Sequence, residues 1–547
     1  MPWQSGNPPA RFAKPIVSRR VRFPNPWPPP REAERARAAR TGAGPAGNFT
    51  PPVDAGEAPF LSSAAELARC ITALMNRRSF CGAATAPLIF SRASAAAPRR
   101  PNFLFVYTDD QRYDAIRALG TQPGLRTPNL DRLLRGGANF RNAFVTTSLC
   151  SPSRSSFLTG CYAHKTGVAD NRRESTLRPG LPRVLALLGE AGYATAYIGK
   201  IHIPNFEEAL KGVDHTATFP GQGSYFNNRF VVNGKPTPTE GYITDHINRF
   251  ALEFLRSRDK SRPFAMFVGH KAVHGPFQPD QRYKPLFESE WMPLPRTWDD
   301  LYEGRPSYLK ARRKSWHGLE GLLQKHNYSQ WQRDLAACLV SVDDGAGEIL
   351  AELGKTGQLE DTVFIYSSDN GYFQGQHGLN DKRAMYEDSI RIPHIVHYPR
   401  RIRPGTVFDQ MVLNIDLAPT MLDLAGVDIP PAMQGRSWRP VLEGKERQGR
   451  EAWLYEYNWE KSYPFDPTQY GVRTARYKYI RYPDVGNTDP DYPMKGELPY
   501  DELYDLEKDP LEMRNIAKDP AAAAVLRDMQ ALLKRLAEET GYPGGFR

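Results

Sequence analysis

Cysteine is scarce: the chain has 5 in 547 residues, at Cys70, Cys81, Cys150, Cys161 and Cys338, too few for a disulfide framework. Long apolar runs are missing too. No segment approaches the roughly 20 consecutive apolar residues of a spanning helix, which predicts a mature product without a membrane span. A charge excess is also lacking where it would matter for binding a polyanion. The formal net charge is +11, but residues 1–97 hold 13 Lys and Arg against 5 Asp and Glu, while the rest of the chain holds 59 against 56. The body is nearly balanced, which excludes a nucleic-acid-coating role. No internal repeat is apparent.

Residues 1–74 lack any sustained apolar period and are rich in Pro, Arg, Ala and Gly, as in Pro28-Pro29-Pro30, a composition that predicts disorder. Met75-Asn76-Arg77-Arg78-Ser79-Phe80 then leads into the apolar stretch from Gly82 to Phe90 and into Ala95-Ala96-Ala97. Twin arginines, a short apolar core and a small-residue cleavage site make residues 75–97 a twin-arginine signal peptide. We read residues 1–74 as an upstream extension from a misplaced start, and place the mature protein, beginning near Pro98, in the periplasm or outside the cell. The twin-arginine export machinery is the partner this implies.

The remaining chain exceeds what one hydrophobic core usually organises, so a large domain over 98–440 and a smaller α+β subdomain over 441–547 are expected. From Asn102 onward short apolar strands alternate with longer helical stretches, the pattern of an α/β sheet between helices. Strands are expected over 102–108, 193–198, 263–268 and 363–367, and a long amphipathic helix over 330–353. Thr127-Pro128 opens another helix. Beyond about residue 440 the rhythm changes to aromatic and basic strand-like runs such as 472–481, then a terminal helix from about Ala521.

Polar residues gather just after several strand ends, the edge at which open α/β sheets bind ligands. Asp109-Asp110 follows the first strand and Asp369-Asn370 the last, an all-oxygen donor set suited to a hard cation, Ca2+ with Mg2+ as the alternative, rather than zinc. Lys200 and His202 follow the second strand and point the same way if the extended form continues. His270 and His274 follow the third. Between them in sequence lies Cys150-Ser151-Pro152-Ser153-Arg154-Ser155-Ser156-Phe157-Leu158-Thr159-Gly160, a helix start with a guanidinium, where backbone N–H groups and Arg154 would hold a tetrahedral oxyanion.

That run resembles the type I sulfatase signature C-x-P-S-R-x-x-x-L-T-G at every specified position. The resemblance extends from about Pro101 to the tail at Glu502-Leu503-Tyr504-Asp505. It implies an alkaline-phosphatase-like fold with a central mixed sheet between helices. It also implies that Cys150 is oxidised by a formylglycine-generating enzyme to formylglycine, whose hydrated aldehyde is the nucleophile. In such enzymes Asp109, Asp110, Asp369, Asn370 and residue 150 itself would hold Ca2+. Arg154 would hold the aldehyde diol, Lys200 and His202 would serve the nucleophile and its regeneration, and His274 and Lys382 the leaving oxygen and the sulfate. His270 and His377 have weaker claims, and Gln376 stands where many family members carry Glu. If Cys70 and Cys81 are removed and Cys150 is converted, Cys161 and Cys338 remain as a candidate pair.

The expected activity is therefore that of a sulfuric-ester hydrolase. Its expected substrate is a sulfated carbohydrate, with a lean toward N-acetylglucosamine 6-sulfate from the stretch between Ser368 and Arg383. Aromatics such as Trp453, Tyr455, Tyr457 and Trp459 are candidates for stacking sugar rings. Two other readings stay open: a phosphonate monoester or phosphodiester hydrolase of the same superfamily, and a non-catalytic protein that binds sulfated glycans.

Overall fold

The computed structural model describes residues 100–122 and 124–543, so the expected extension, the signal peptide, Cys70 and Cys81 lie outside the described residues. Its centre is a ten-stranded mixed sheet. The innermost strand is β1 (Asn102–Thr108), a continuous run of apolar residues because both of its faces are covered. It pairs in parallel with β8 (Phe264–Gly269) on one side and β9 (Thr362–Ser368) on the other. Beyond β8 come β4 (Ala194–Lys200) and β5 (His215–Phe219), again parallel, then the antiparallel β6 (Arg229–Val232) and β7 (Lys235–Pro238). Beyond β9 come the antiparallel β12 (His394–His397), then β2 (Ala138–Phe140) and β13 (Thr406–Phe408).

Alternation along β1 builds two cores. Leu104 and Val106 pack in a cluster with α4 (Ile243–Ser257) and the 28-residue α6 (Tyr328–Lys355), together with α1 (Pro128–Gly136). Phe103, Phe105 and Tyr107 face the opposite cluster, which draws on α2 (Cys150–Thr159), α3 (Val184–Glu190) and α7 (Leu417–Ala425). Helix α6 starts where Asn327 accepts a hydrogen bond from the Gln330 N–H at 3.1 Å, a side-chain N-cap. Among the described residues no helix is long and apolar enough to cross a membrane.

Two short pairs flank this body, β3 (Ala143–Phe144) with β14 (Val412–Leu413), and β10 (Phe373–Gln374) with β11 (Asn380–Asp381). A second sheet, wholly antiparallel, is formed by β15 (Ala452–Tyr457), β16 (Gln469–Thr474), β17 (Tyr477–Tyr482) and β18 (Tyr500–Asp505). The terminal helix α8 (Ala523–Thr540) packs on it. The fold is thus mixed α/β with a smaller C-terminal antiparallel sheet.

Three expectations change. The run 472–481 is a hairpin and not one strand: β16 ends at Thr474, the chain turns at Ala475-Arg476, and β17 starts at Tyr477. Trp453, Tyr455 and Tyr457 are at most 1% exposed, so they fill the core under the second sheet and present no face to a sugar. Cys161 and Cys338 are both free and buried. Cys161 Sγ instead lies 3.3 Å from the Ala432 carbonyl oxygen, while Cys338 sits in the core on α6.

Candidate active site

Four parallel strands deliver their chemistry to one edge of the main sheet. Asp109-Asp110 follows β1, Lys200 ends β4, His270 to His274 follow β8, and Asp369-Asn370 follows β9. Backbone bonds lock these segments together: the Asp109 N–H donates to the Ala272 carbonyl at 3.0 Å, the Val273 N–H to Asp109 at 2.8 Å, and the Asp369 N–H to Thr108 at 3.0 Å. Helix α2 points its first residue, the fully buried Cys150, into the same place.

Cys150 Sγ lies 3.3 Å from Asp109 Oδ1 and 3.2 Å from Lys382 Nζ. Burial, reinforced by the Asp109 carboxylate, pushes its thiol pKa up despite the neighbouring lysines. A thiol held protonated is a poor nucleophile. The helix start does not form the open anion cradle expected of it. Pro152 has no N–H, the Ser151 N–H is taken by Asn171 Oδ1 at 3.0 Å, and the Ser153 N–H by the Leu149 carbonyl at 3.0 Å. Arg154 is equally committed: Nε donates to Asp369 Oδ2 at 2.8 Å, Nη2 to Asp109 Oδ2 at 3.1 Å, and Nη1 to the Lys200 carbonyl. Its guanidinium also lies over the Tyr107 ring at 4.8 Å. It stands behind the carboxylates and fixes them, because two buried anions outcompete any other partner.

Asp109, Asp110 and Asp369 each offer an oxygen within 4.8 Å of the others, all three buried. Burial, with like charge from Asp109 and Asp369, raises the Asp110 carboxyl to about 7 although Lys382 opposes it. Asn370 Nδ2 donates to Asp110 Oδ1 at 2.6 Å, while its own Oδ1 is buried without a partner. Crowded carboxylates and an orphaned amide oxygen fit a hard divalent cation, which would relieve both.

Lys200 ends β4, its ammonium on Asp109 Oδ2 and Gln222 Oε1. Lys382 contacts Asp110 Oδ1 and Cys150 Sγ. The strand does not continue to His202, which takes a left-handed backbone (φ 56°) after it, its carbonyl accepting from Ser151 Oγ. Burial and Lys200 hold the His202 ring neutral, and its buried Nδ1 has no hydrogen-bond partner. His274 Nε2 lies 3.8 Å from Asp110 Oδ2, and Nδ1 lies 2.5 Å from the Gly275 carbonyl. A carbonyl only accepts, so Nδ1 carries the proton and Nε2 faces the carboxylate. Burial and Lys200 keep this ring neutral as well.

The weaker candidates separate. His270 is buried beside Arg154, with both ring nitrogens unpartnered and its pKa lowered to about 3 by burial. His377 is outside the cluster: its Nδ1 meets Asp300 Oδ2 at 2.9 Å and its ring stacks on Tyr386 at 5.1 Å in a network beneath the second sheet. Sequence reasoning passed over Gln222 and Lys271. Lys271 was findable, since it lies in the same run as His270 and His274. Gln222 was not, since only the fold carries the loop after β5 to Lys200.

The sulfatase family model matches residues 101–427, well over half the chain, and that of the N-sulphoglucosamine sulphohydrolase C-terminal region matches 375–539. The chain belongs to the sulfatase family. It is a sulfuric-ester hydrolase on the alkaline-phosphatase-like fold. Among relatives, an N-acetylglucosamine-6-O-sulfatase of Bacteroides thetaiotaomicron is 33% identical over 81% of this chain and 88% of its own length. A solved structure of BT4656 in complex with its substrate D-glucosamine-2-N,6-O-disulfate shares 31% identity, with a TM-score of 0.74 over 81% of this chain and 99% of that one. The phosphonate monoester hydrolase of Agrobacterium radiobacter shares the fold at 20% identity, with a TM-score of 0.66 over 81% of this sulfatase and 96% of that chain.

Proposed function

We propose that this sulfatase removes sulfate from a glucosamine residue, of the N-acetylglucosamine 6-sulfate type. We further propose that Cys150, once oxidised to formylglycine, is its nucleophilic position, and Ca2+ its metal. The observation that carries the reading is the placement of residue 150 between a carboxylate cluster and Lys382, in a setting where an unmodified thiol stays protonated. The 33% identity to an N-acetylglucosamine-6-O-sulfatase supports the substrate class.

Asp109, Asp110, Asp369 and Asn370 would hold the cation, with residue 150 beside them. When bound it would neutralise the cluster and draw electron density from the sulfate oxygens. Formylglycine at 150 would supply a hydrated aldehyde, with one hydroxyl to attack sulfur and a second to be deprotonated later. Arg154 keeps Asp109 and Asp369 in register. Lys200 and Lys382, whose ammonium groups lie on Asp109 and Asp110, would supply the positive charge that holds the sulfate oxygens. His202, neutral and unpartnered at Nδ1, accepts a proton. His274 is neutral in the free protein; an arriving sulfate offsets the field of the lysines and raises its affinity for a proton, so its acid form arises in the complex and protonates the leaving oxygen.

Parallel rates on N-acetylglucosamine 6-sulfate, nitrophenyl sulfate and a nitrophenyl phosphonate test the assignment. Sulfate esters should turn over fastest, and a phosphonate preference by orders of magnitude would transfer the protein to the other reading. Binding of N-acetylglucosamine 6-sulfate without hydrolysis by the calcium-loaded, converted protein would make it a glycan-binding protein instead. The leader at 75–97 supports export through the twin-arginine pathway after maturation by a formylglycine-generating enzyme. N-terminal sequencing of protein recovered from the periplasm or medium tests this; a start near Pro98 is expected, and retention of peptides from residues 1–74 would refute it.

A further inference from the structure

Three lysines stand at this sheet edge, and their electrostatic situations differ. Lys200 and Lys382 each lie against a carboxylate, Asp109 and Asp110 respectively. Lys271 has none: among the described residues no hydrogen bond or ion pair reaches its ammonium, although the residue is only 5% exposed. Its ammonium lies over the Tyr225 ring, 4.9 Å from the centroid, and the Tyr225 hydroxyl donates to the His274 carbonyl at 2.9 Å. Lysine is seldom buried without a counter-charge, since desolvating an ammonium is costly.

Its surroundings point inward. The segment that carries it is hydrogen-bonded to Asp109 through Ala272 and Val273, and there the Asp109 and Asp110 carboxylates favour its charge while Lys200 opposes it, so the ammonium stands in the field of the reaction centre. Burial and Lys200 lower its pKa to about 8, which leaves it charged at neutral pH. The turn that carries it is pinned on both sides: the Asp109 N–H donates to the Ala272 carbonyl at 3.0 Å, and the His274 N–H to the Lys271 carbonyl at 3.0 Å. The charge therefore sits, without a direct ion-pair partner among the described residues, on a backbone segment that is fixed and that also carries His274.

We propose that Lys271 is a sulfate-binding residue of this enzyme, the third lysine of the cradle, whose missing counter-ion is the anionic group of the substrate and, after turnover, the released sulfate. This rests on reading the site as a sulfate-ester pocket. The two other lysines must give up a carboxylate to meet an anion, whereas Lys271 gives up only a ring face. Lys271 thus sets affinity for the sulfate group more than the rate of its transfer.

The test is sulfate binding by the calcium-loaded protein, followed by thermal unfolding against inorganic sulfate concentration and by product inhibition. Lys271→Met should unfold at the same temperature as the parent or higher without sulfate, because a largely desolvated charge with no direct ion-pair partner is gone. It should need about ten- to a hundredfold more sulfate for the same stabilisation, the range for a charge-assisted hydrogen bond. KM for a sulfate monoester should rise by a similar factor with a smaller change in kcat, and Lys271→Arg should recover part of the loss. An unchanged sulfate dependence in Lys271→Met overturns the proposal and leaves the activity standing. If sulfate stabilises neither protein, the anion site is absent and both readings fall.

Discussion

Two regions of this protein bury charge, and they do it differently. Beneath the second sheet, Lys478 Nζ lies 2.6 Å from Glu512 Oε1 and 2.9 Å from Glu387 Oε1, and Arg473 Nε lies 3.3 Å from Glu387 Oε1. Nearby, Glu502 accepts hydroxyl hydrogen bonds from Tyr386, Tyr482 and Tyr504 at 2.6 to 3.0 Å. At the strand ends, by contrast, three carboxylates crowd one another, Asn370 Oδ1 and His202 Nδ1 are orphaned, and Lys271 is unpaired. Opposite charges facing each other make a core that is complete by itself. Like charges and unpaired polar groups make one completed by ligands, at a cost to the stability of the free chain.

The contrast breaks most visibly under substitution. Cys150→Ala should lower turnover by at least about 10⁴-fold while weakening calcium binding far less and leaving the thermal unfolding profile close to the parent, since it removes the nucleophilic position and little volume but spares Asp109, Asp110, Asp369 and Asn370. Calorimetric titration beside an activity assay checks both halves. His274→Ala should cost about 10² to 10⁴ on a sugar sulfate and far less on nitrophenyl sulfate, whose leaving group hardly needs a proton; equal losses would remove His274 from the acid role. In the other region the readout reverses. Lys478→Met strands Glu387 and Glu512 in the core and should lower unfolding free energy by about 3 to 5 kcal/mol, with kcat per folded molecule unchanged.

The smallest effect sharpens the comparison through pH. His394, buried between Phe140 and Trp438, has its pKa lowered to about 4 by burial alone. Its folded pKa lies below the unfolded value of about 6.5, so its contribution is fully present above pH 6.5 and is lost as pH falls toward 4, up to about 3 kcal/mol. Denaturant unfolding at both ends of that window should show the loss, and His394→Phe should flatten it.

Much of this was legible in the chain. Strands β1, β4, β8 and β9 are buried on both faces, so they read as unbroken apolar runs, and the polar residues behind them stand out. Most of the residues that meet near Cys150 were therefore named from local sequence, and Lys382 from the resemblance to sulfatases. Their partnerships were not, since Arg154 meets Asp369 across 215 residues of chain. His202 was misjudged in conformation because nothing in Ile201-His202-Ile203 announces a left-handed residue, and His377 in place because its partners Asp300 and Arg305 lie far back in sequence. Lys271 could have been placed near the site from its run with His270 and His274, but what sets it apart, the lack of a direct counter-charge, is visible only once every neighbour is placed. The turn inside 472–481 was hidden because Ala475-Arg476 contains none of the usual turn residues, Gly, Pro, Asn, Asp or Ser.

The central claim is that residue 150 works only after its thiol has been replaced by an aldehyde. Mass measurement of the peptide spanning Cys150, on preparations of graded specific activity, tests it most directly. The account predicts activity in proportion to the aldehyde-bearing fraction, reaching zero where the thiol is intact. Full activity from protein whose residue 150 is still cysteine would contradict it.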